Sequence, residues 1–126
     1  MKYLQFVEQV SERTDVSLGE AEALTRATLR TLAERVSGGQ ARDLAAQLAV
    51  ELTPYLTESD EAAEAFTLTE FVRRVAVRAN VDRETAADGV RGVLQTIRSA
   101  VSGGEFDDVM SQLPQEFRNL LPTPAR

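Results

Sequence analysis

The chain has neither cysteine nor histidine in its 126 residues. Without cysteine there are no disulfides, no thiolate nucleophile and no thiolate metal site. Without histidine the commonest general base and the commonest transition-metal ligand are missing. Carboxylates, hydroxyls, tyrosine and amines remain, so any bound metal would be a hard, oxygen-ligated ion. Tryptophan is absent, and Lys2 is the only lysine beside a large set of arginines. No apolar run approaches the roughly 18 residues that suggest a membrane span. Glu8 interrupts the N-terminal stretch before an apolar segment of signal-peptide length can form. These absences lead to an expectation of a cytoplasmic protein that does not enter a membrane. They also argue against enzyme chemistry without excluding it.

The composition that is present suits a folded domain. Hydrophobic residues make up 43% and charged residues 27%, enough for a packed core and a solvated surface. The net charge is −6, which repels nucleic acid and anionic lipid at long range. Nucleic-acid binding is therefore not expected, and Arg73-Arg74-Arg78 is the one basic cluster that could argue for it. Arginine, rather than lysine, suits fixed bidentate pairing with carboxylates.

The strongest signal is an internal repeat. Shifting the sequence by 65 residues lays 4–57 onto 69–122 without a gap, and 18 of those 54 positions are identical. Chance at ordinary composition would give about four. Phe6-Val7 matches Phe71-Val72, Val10 matches Val75, Arg13 matches Arg78, and Val36-Ser37-Gly38-Gly39 matches Val101-Ser102-Gly103-Gly104. With only two copies and a long period, a pseudo-twofold bundle is favoured over an open array.

Each copy reads as the same series of helices. The first runs from about Tyr3 to Arg13, with Phe6, Val7 and Val10 on one face; Phe71, Val72 and Val75 repeat that face. The second is the longest. Ser17-Leu18-Gly19-Glu20 has the capping-box form, and Asp82 takes the cap position in the other copy. An apolar stripe follows through Ala21, Leu29, Leu32 and Val36, repeated at Ala86, Leu94, Ile97 and Val101. Ser-Gly-Gly then closes each long helix, one glycine being free to adopt the left-handed conformation of a C-terminus. Third helices are expected over 40–48 and 105–113, and short last helices near 50–56 and 115–121, the latter opened by Pro114. The reading is an all-α helical bundle of two pseudo-symmetric copies, each of about three to four helices. Residues 1–56 form the first repeat, 57–66 an exposed and mobile acidic linker, 67–122 the second repeat and 123–126 a frayed tail. Both repeats share one compact domain.

The duplicated polar residues are the candidate sites: Arg26, Asp43, Gln47 and Glu51 in the first copy, and Arg91, Asp108, Gln112 and Glu116 in the second. If the second and third helices fold back at the glycines, Arg26 falls near Glu51 and Arg91 near Glu116. Such pairs either line two related polar sites or fix the angle between helices, and the structural role is the commoner one. Arg13 and Arg78 close the first helices, where a cation suits the dipole. Asp43 with Gln47, and Asp108 with Gln112, place two oxygen ligands on one helical face. Nothing in the spacing brings further carboxylates to them, so no metal ligand, cofactor or catalytic residue is assigned. Ser-Gly-Gly could offer amides to an anion, but it lacks the strand, spacing and lysine of a phosphate loop.

The segments F-V-x-x-V, V-S-G-G and D-D-V-x-x-Q-L-P-x-E-F, together with Arg26–Arg35 and Ala41–Leu48, resemble a prokaryotic family known as domain of unknown function 2267. The resemblance implies a helical fold and a two-copy layout. It carries no activity and no functional residues. The first copy departs from the pattern at Ala49, where the family commonly has proline, so its last helix is expected to start less sharply. Two functional readings follow. The leading one is a non-enzymatic helical module that binds another protein, possibly a second copy of itself. The alternative is a ligand-binding protein or enzyme that uses arginine and carboxylates in a cleft between the repeats.

Overall fold

The computed structural model describes residues 1–58 and 62–122, and every regular element among them is helical. In chain order these are α1 (Tyr3–Thr14), α2 (Leu18–Arg35), α3 (Gly38–Gln47), α4 (Thr53–Thr57), α5 (Leu68–Ala79), α6 (Arg83–Ala100), α7 (Gly103–Ser111) and α8 (Gln115–Asn119). A single 3₁₀ turn over Val50–Leu52 leads into α4, with Ala49 at its cap position. This is the gradual start expected where the first copy lacks a proline. The described residues stop short of the tail at 123–126, and 59–61 of the linker also lie outside them.

Local chemistry explains the helix ends. Ser17 and Asp82 accept hydrogen bonds from the amides of Glu20 and Thr85, and so cap the two long helices. Thr67 does the same for α5 through Glu70 N–H. The left-handed residues are not the glycines of Ser-Gly-Gly. They are Asp15 and Asn80, both at φ 55°, at the ends of α1 and α5. Aspartate and asparagine tolerate this conformation better than most side chains. The glycines instead open the next helix: Ser37 caps α3 by accepting from Gln40 N–H, and Ser102 caps α7 by accepting from Glu105 N–H. The chain turns this corner through extended backbone at Val36–Ser37 and Val101–Ser102.

The core draws on both halves of the chain. Phe6, Leu24, Leu29, Leu32, Leu44, Leu52 and Leu56 are buried in one cluster with Phe71, Leu94, Ile97 and Phe117. Burying a side chain of this size stabilises by about 1.5–3 kcal/mol. Phe71 meets the edge of Phe117 at 5.2 Å between ring centroids. Besides its own long helix, α1 packs on α6, and α5 likewise packs on α2. The long helices α2 and α6 contact each other, as do α3 and α7.

Two glycines permit the closest approaches. A Cβ on Gly89 would come within 2.6 Å of Leu24 Cδ2, and one on Gly92 within 2.6 Å of Thr14 Cγ2. Polar contacts between the halves recur at matching positions. Arg13 Nη1 donates to Thr96 Oγ1 at 2.7 Å, and Arg78 Nη1 to Thr31 Oγ1 at 2.9 Å. Ser37 N–H donates to Gln112 Oε1 and Ser102 N–H to Gln47 Oε1, each at 2.8 Å.

An arginine-lined candidate site between α2 and α5

The candidate site forms where α5 lies along α2. Spacings of three and four residues put Arg74, Val77 and Arg78 on neighbouring turns of α5, with Arg73 at the edge. Thr67 fixes the start of the helix, and Glu70 in its first turn holds two of the arginines. Glu70 accepts from Arg73 Nε at 2.7 Å and from Arg74 Nε at 2.8 Å. These bonds, that to Arg73 foremost, hold its carboxyl down at a pKa of about 2.

Glu34, near the end of α2, is the centre of the cluster. It pairs bidentately with Arg78, at 2.8 Å to Nη1 and 2.7 Å to Nη2, and lies 3.1 Å from Arg74 Nη1. The Arg78 hydrogen bond is the main cause that keeps Glu34 below the usual carboxylate range, while burial opposes it.

The chain segment entering α5 closes one end. Glu64 N–H donates to Glu34 O at 2.9 Å, and the Glu64 carboxylate accepts from Arg74 at 2.8 Å. The Phe66 ring lies 3.9 Å from the Arg74 guanidinium carbon and 5.8 Å from that of Arg35. Arg35 also donates to Phe66 O and to Gln112 O, and so ties this segment to the end of α7. An exposed, mobile linker was the expectation for 57–66. Residues 62–65 are exposed, and Glu64 and Phe66 are also tied to α2 and α5 through a backbone hydrogen bond and an aromatic contact that composition alone does not reveal.

Glu34, Glu64, Arg73, Arg74, Val77 and Arg78 line an open groove of about 400 Å³. A smaller hollow of about 180 Å³ adjoins it, sharing Glu34 and Arg78 and adding Arg30, Tyr55 and Glu58. There Arg30 sits 3.4 Å from Glu58 and stacks 5.1 Å from the Tyr55 ring centre. Val77 is 69% exposed on the groove wall. The groove presents guanidinium groups, carboxylates and an apolar side chain.

The duplicated residues lie elsewhere. Arg26 is 4.0 Å from Glu22 on its own helix, and Arg91 is 3.6 Å from Asp88 on its own. Glu51 and Glu116 are exposed and form no ion pair among the described residues. The expected Arg26–Glu51 and Arg91–Glu116 pairs are therefore corrected. They assumed a helical hairpin at the glycines, whereas α3 leaves that corner to pack on α4 and α7. Asp43 and Asp108 are exposed. Gln47 and Gln112 are committed to the Ser102 and Ser37 amides. Arg13 and Arg78 do more than end helices, since each reaches a threonine in the other half of the chain. Among the described residues there is no group of three acidic side chains placed to hold a metal ion. None of the described helices is long and apolar enough to cross a membrane.

Neither Glu34 nor Glu64 is duplicated, so the internal repeat does not mark them. The counterpart of Glu34 is Ser99, and Glu64 lies in the linker. The signal that could have found the groove is the Arg73-Arg74-Arg78 spacing, read together with nearby unmatched glutamates.

No curated protein matches the chain. A family model described as an uncharacterized conserved protein (DUF2267) matches residues 3–120. With nearly the whole chain covered by that match, the protein belongs to the DUF2267 family.

Proposed function

We propose that this protein is a non-enzymatic helical module that binds another protein through the arginine-lined groove. In this reading it is built from two copies of one helical unit related by a pseudo-twofold axis. The 65-residue offset between helix boundaries supports the second part, as α1 recurs at α5 and α2 at α6. The cross-bonds support it too: Arg13–Thr96 becomes Arg78–Thr31 under the same shift, and Ser37–Gln112 becomes Ser102–Gln47. Such reciprocity is the property of an isologous interface, where residue i meets j and j meets i.

One observation carries the binding role. In a chain of net charge −6, Arg73, Arg74 and Arg78 converge beside the exposed Val77 around an open groove. Arginine next to apolar surface is typical of the residues that dominate protein interfaces. The partner that fits is an acidic segment bearing an apolar side chain, whose carboxylates would compete with Glu64 and Glu70 for the guanidinium groups. A cytoplasmic setting is part of the reading, in keeping with an acidic, cysteine-free chain.

Calorimetric titration with an acidic, leucine-containing peptide, and with its lysine-substituted control, tests the role. The expected result is saturable, salt-sensitive binding of the acidic peptide only, weakened about tenfold or more by Arg73→Glu with Val77→Asp. Equal binding of the two peptides, or affinity unchanged by the double substitution, contradicts it. A second reading has one observation in its favour: Glu34 from the first repeat and Arg74 and Arg78 from the second meet at the groove. That arrangement would also suit a small carboxylate or phosphate, and titration with citrate and inorganic phosphate separates the two cases.

A further inference from the structure

We propose that the surface joining the two repeats is a heterotypic pairing code: the first repeat is shaped to take the second, and neither is shaped to take a copy of itself. This inference rests on the pseudo-twofold reading above. In a twofold pair, a residue meets its own counterpart only where the axis passes, so identical copies must set like against like there. At two such contacts, Leu24 with Gly89 and Gln40 with Glu105, the residues are unlike.

Leu24 on α2 meets Gly89 on α6, its counterpart 65 positions on. The fit leaves no room for a second side chain, since a Cβ on Gly89 would lie 2.6 Å from Leu24 Cδ2 and 3.1 Å from its Cγ. Leu24 is fully buried and fills the space the glycine leaves. Two first repeats would bring leucine onto leucine and force the long helices apart. Two second repeats would set glycine against glycine and leave a cavity where the leucine belongs.

Gln40 on α3 meets Glu105 on α7, again its counterpart, and Gln40 Nε2 donates to Glu105 Oε2 at 2.5 Å. Glu105 is 8% exposed, and burial pushes its carboxyl above the usual range. Asp43 and Asp108 face it and push in the same direction. Two second repeats would add another buried glutamate to this acidic site, where two carboxylates cannot both ionise cheaply. An amide in one copy and a carboxylate in the other resolve the conflict. The partner this surface fits is therefore the opposite repeat of the same chain.

Thermal unfolding of full-length variants tests the code. Gln40→Glu should lower Tm by about 5 °C at pH 7. That loss should shrink against wild type as the pH falls, since protonating one carboxyl of the pair removes the like-charge conflict. The exchange Gln40→Glu with Glu105→Gln should return Tm to near the wild-type value. Leu24→Gly and Gly89→Leu should each cost more, and the two together should regain over half of the summed loss. If Gly89→Leu does not fold, the double variant and the amide–carboxylate exchange still decide. Exchanges that lose the sum of their single changes, or a harmless Gln40→Glu at pH 7, overturn the proposal. Gln47→Ala and Gln112→Ala keep the two claims apart. A loss from both of them with failed exchanges leaves the twofold reading standing and removes the code, whereas a loss from only one with failed exchanges removes both.

Discussion

Thr28 is fully buried and its hydroxyl has no hydrogen-bond partner among the described residues. The neighbouring buried threonines of α2 are satisfied, with Thr25 Oγ1 donating to Ala21 O and Thr31 Oγ1 donating to Ala27 O. The counterpart of Thr28 in the second repeat is Val93, which is buried in the same way and has no polar atom to satisfy. Leaving a buried hydroxyl unpaired costs about 1–3 kcal/mol. Thr28→Val should therefore raise stability by about 1 kcal/mol, read as a higher urea midpoint with an unchanged slope. A lower midpoint would contradict this assignment. The comparison works because one chain holds two solutions to the same packing position, and the second is the better one.

At the scale of elements, Glu34 joins α2 to α5 and, through its carbonyl, to the segment at Glu64. Its folded-state pKa is lowered, with the Arg78 hydrogen bond the largest cause. A carboxyl whose pKa falls on folding adds stability above its unfolded value, about 4.3 for glutamate. That stability is lost as pH drops through the lower folded value. Glu34→Gln should thus be less stable than wild type at pH 7, and the difference should vanish on going well below pH ~4. Urea titrations at a series of pH values read it directly, and a constant difference across the series would count against a stabilising Glu34–Arg78 pair.

Much of this level was legible in the sequence. The faces Phe6-Val7-Val10 and Phe71-Val72-Val75, with Ser17 and Asp82 as caps, specify four helices through periodicity and local hydrogen bonding. The direction of α3 was not legible, because it depends on extended backbone at Val36–Ser37 and on a hydrogen bond from the Ser37 N–H to Gln112 Oε1, 75 residues away. The groove was half legible. Its arginines follow from spacing on one helix, but Glu34 and Glu64 reach them only through tertiary packing.

At the scale of the molecule, the two halves of the chain share one core among the described residues. Helices α1 and α5 each rest on the long helix of the opposite repeat, and Phe117 of the second repeat lies in one cluster with Leu24 and Leu44 of the first. Neither half retains its buried face alone, so folding should be a single cooperative event. Native-state hydrogen exchange measures this most directly, because it reports opening free energies amide by amide. The slowest amides of α2 and α6 should exchange with one common free energy, equal to that of global unfolding. Exchange from one repeat at a clearly lower free energy, while the other stays protected, would contradict a shared core.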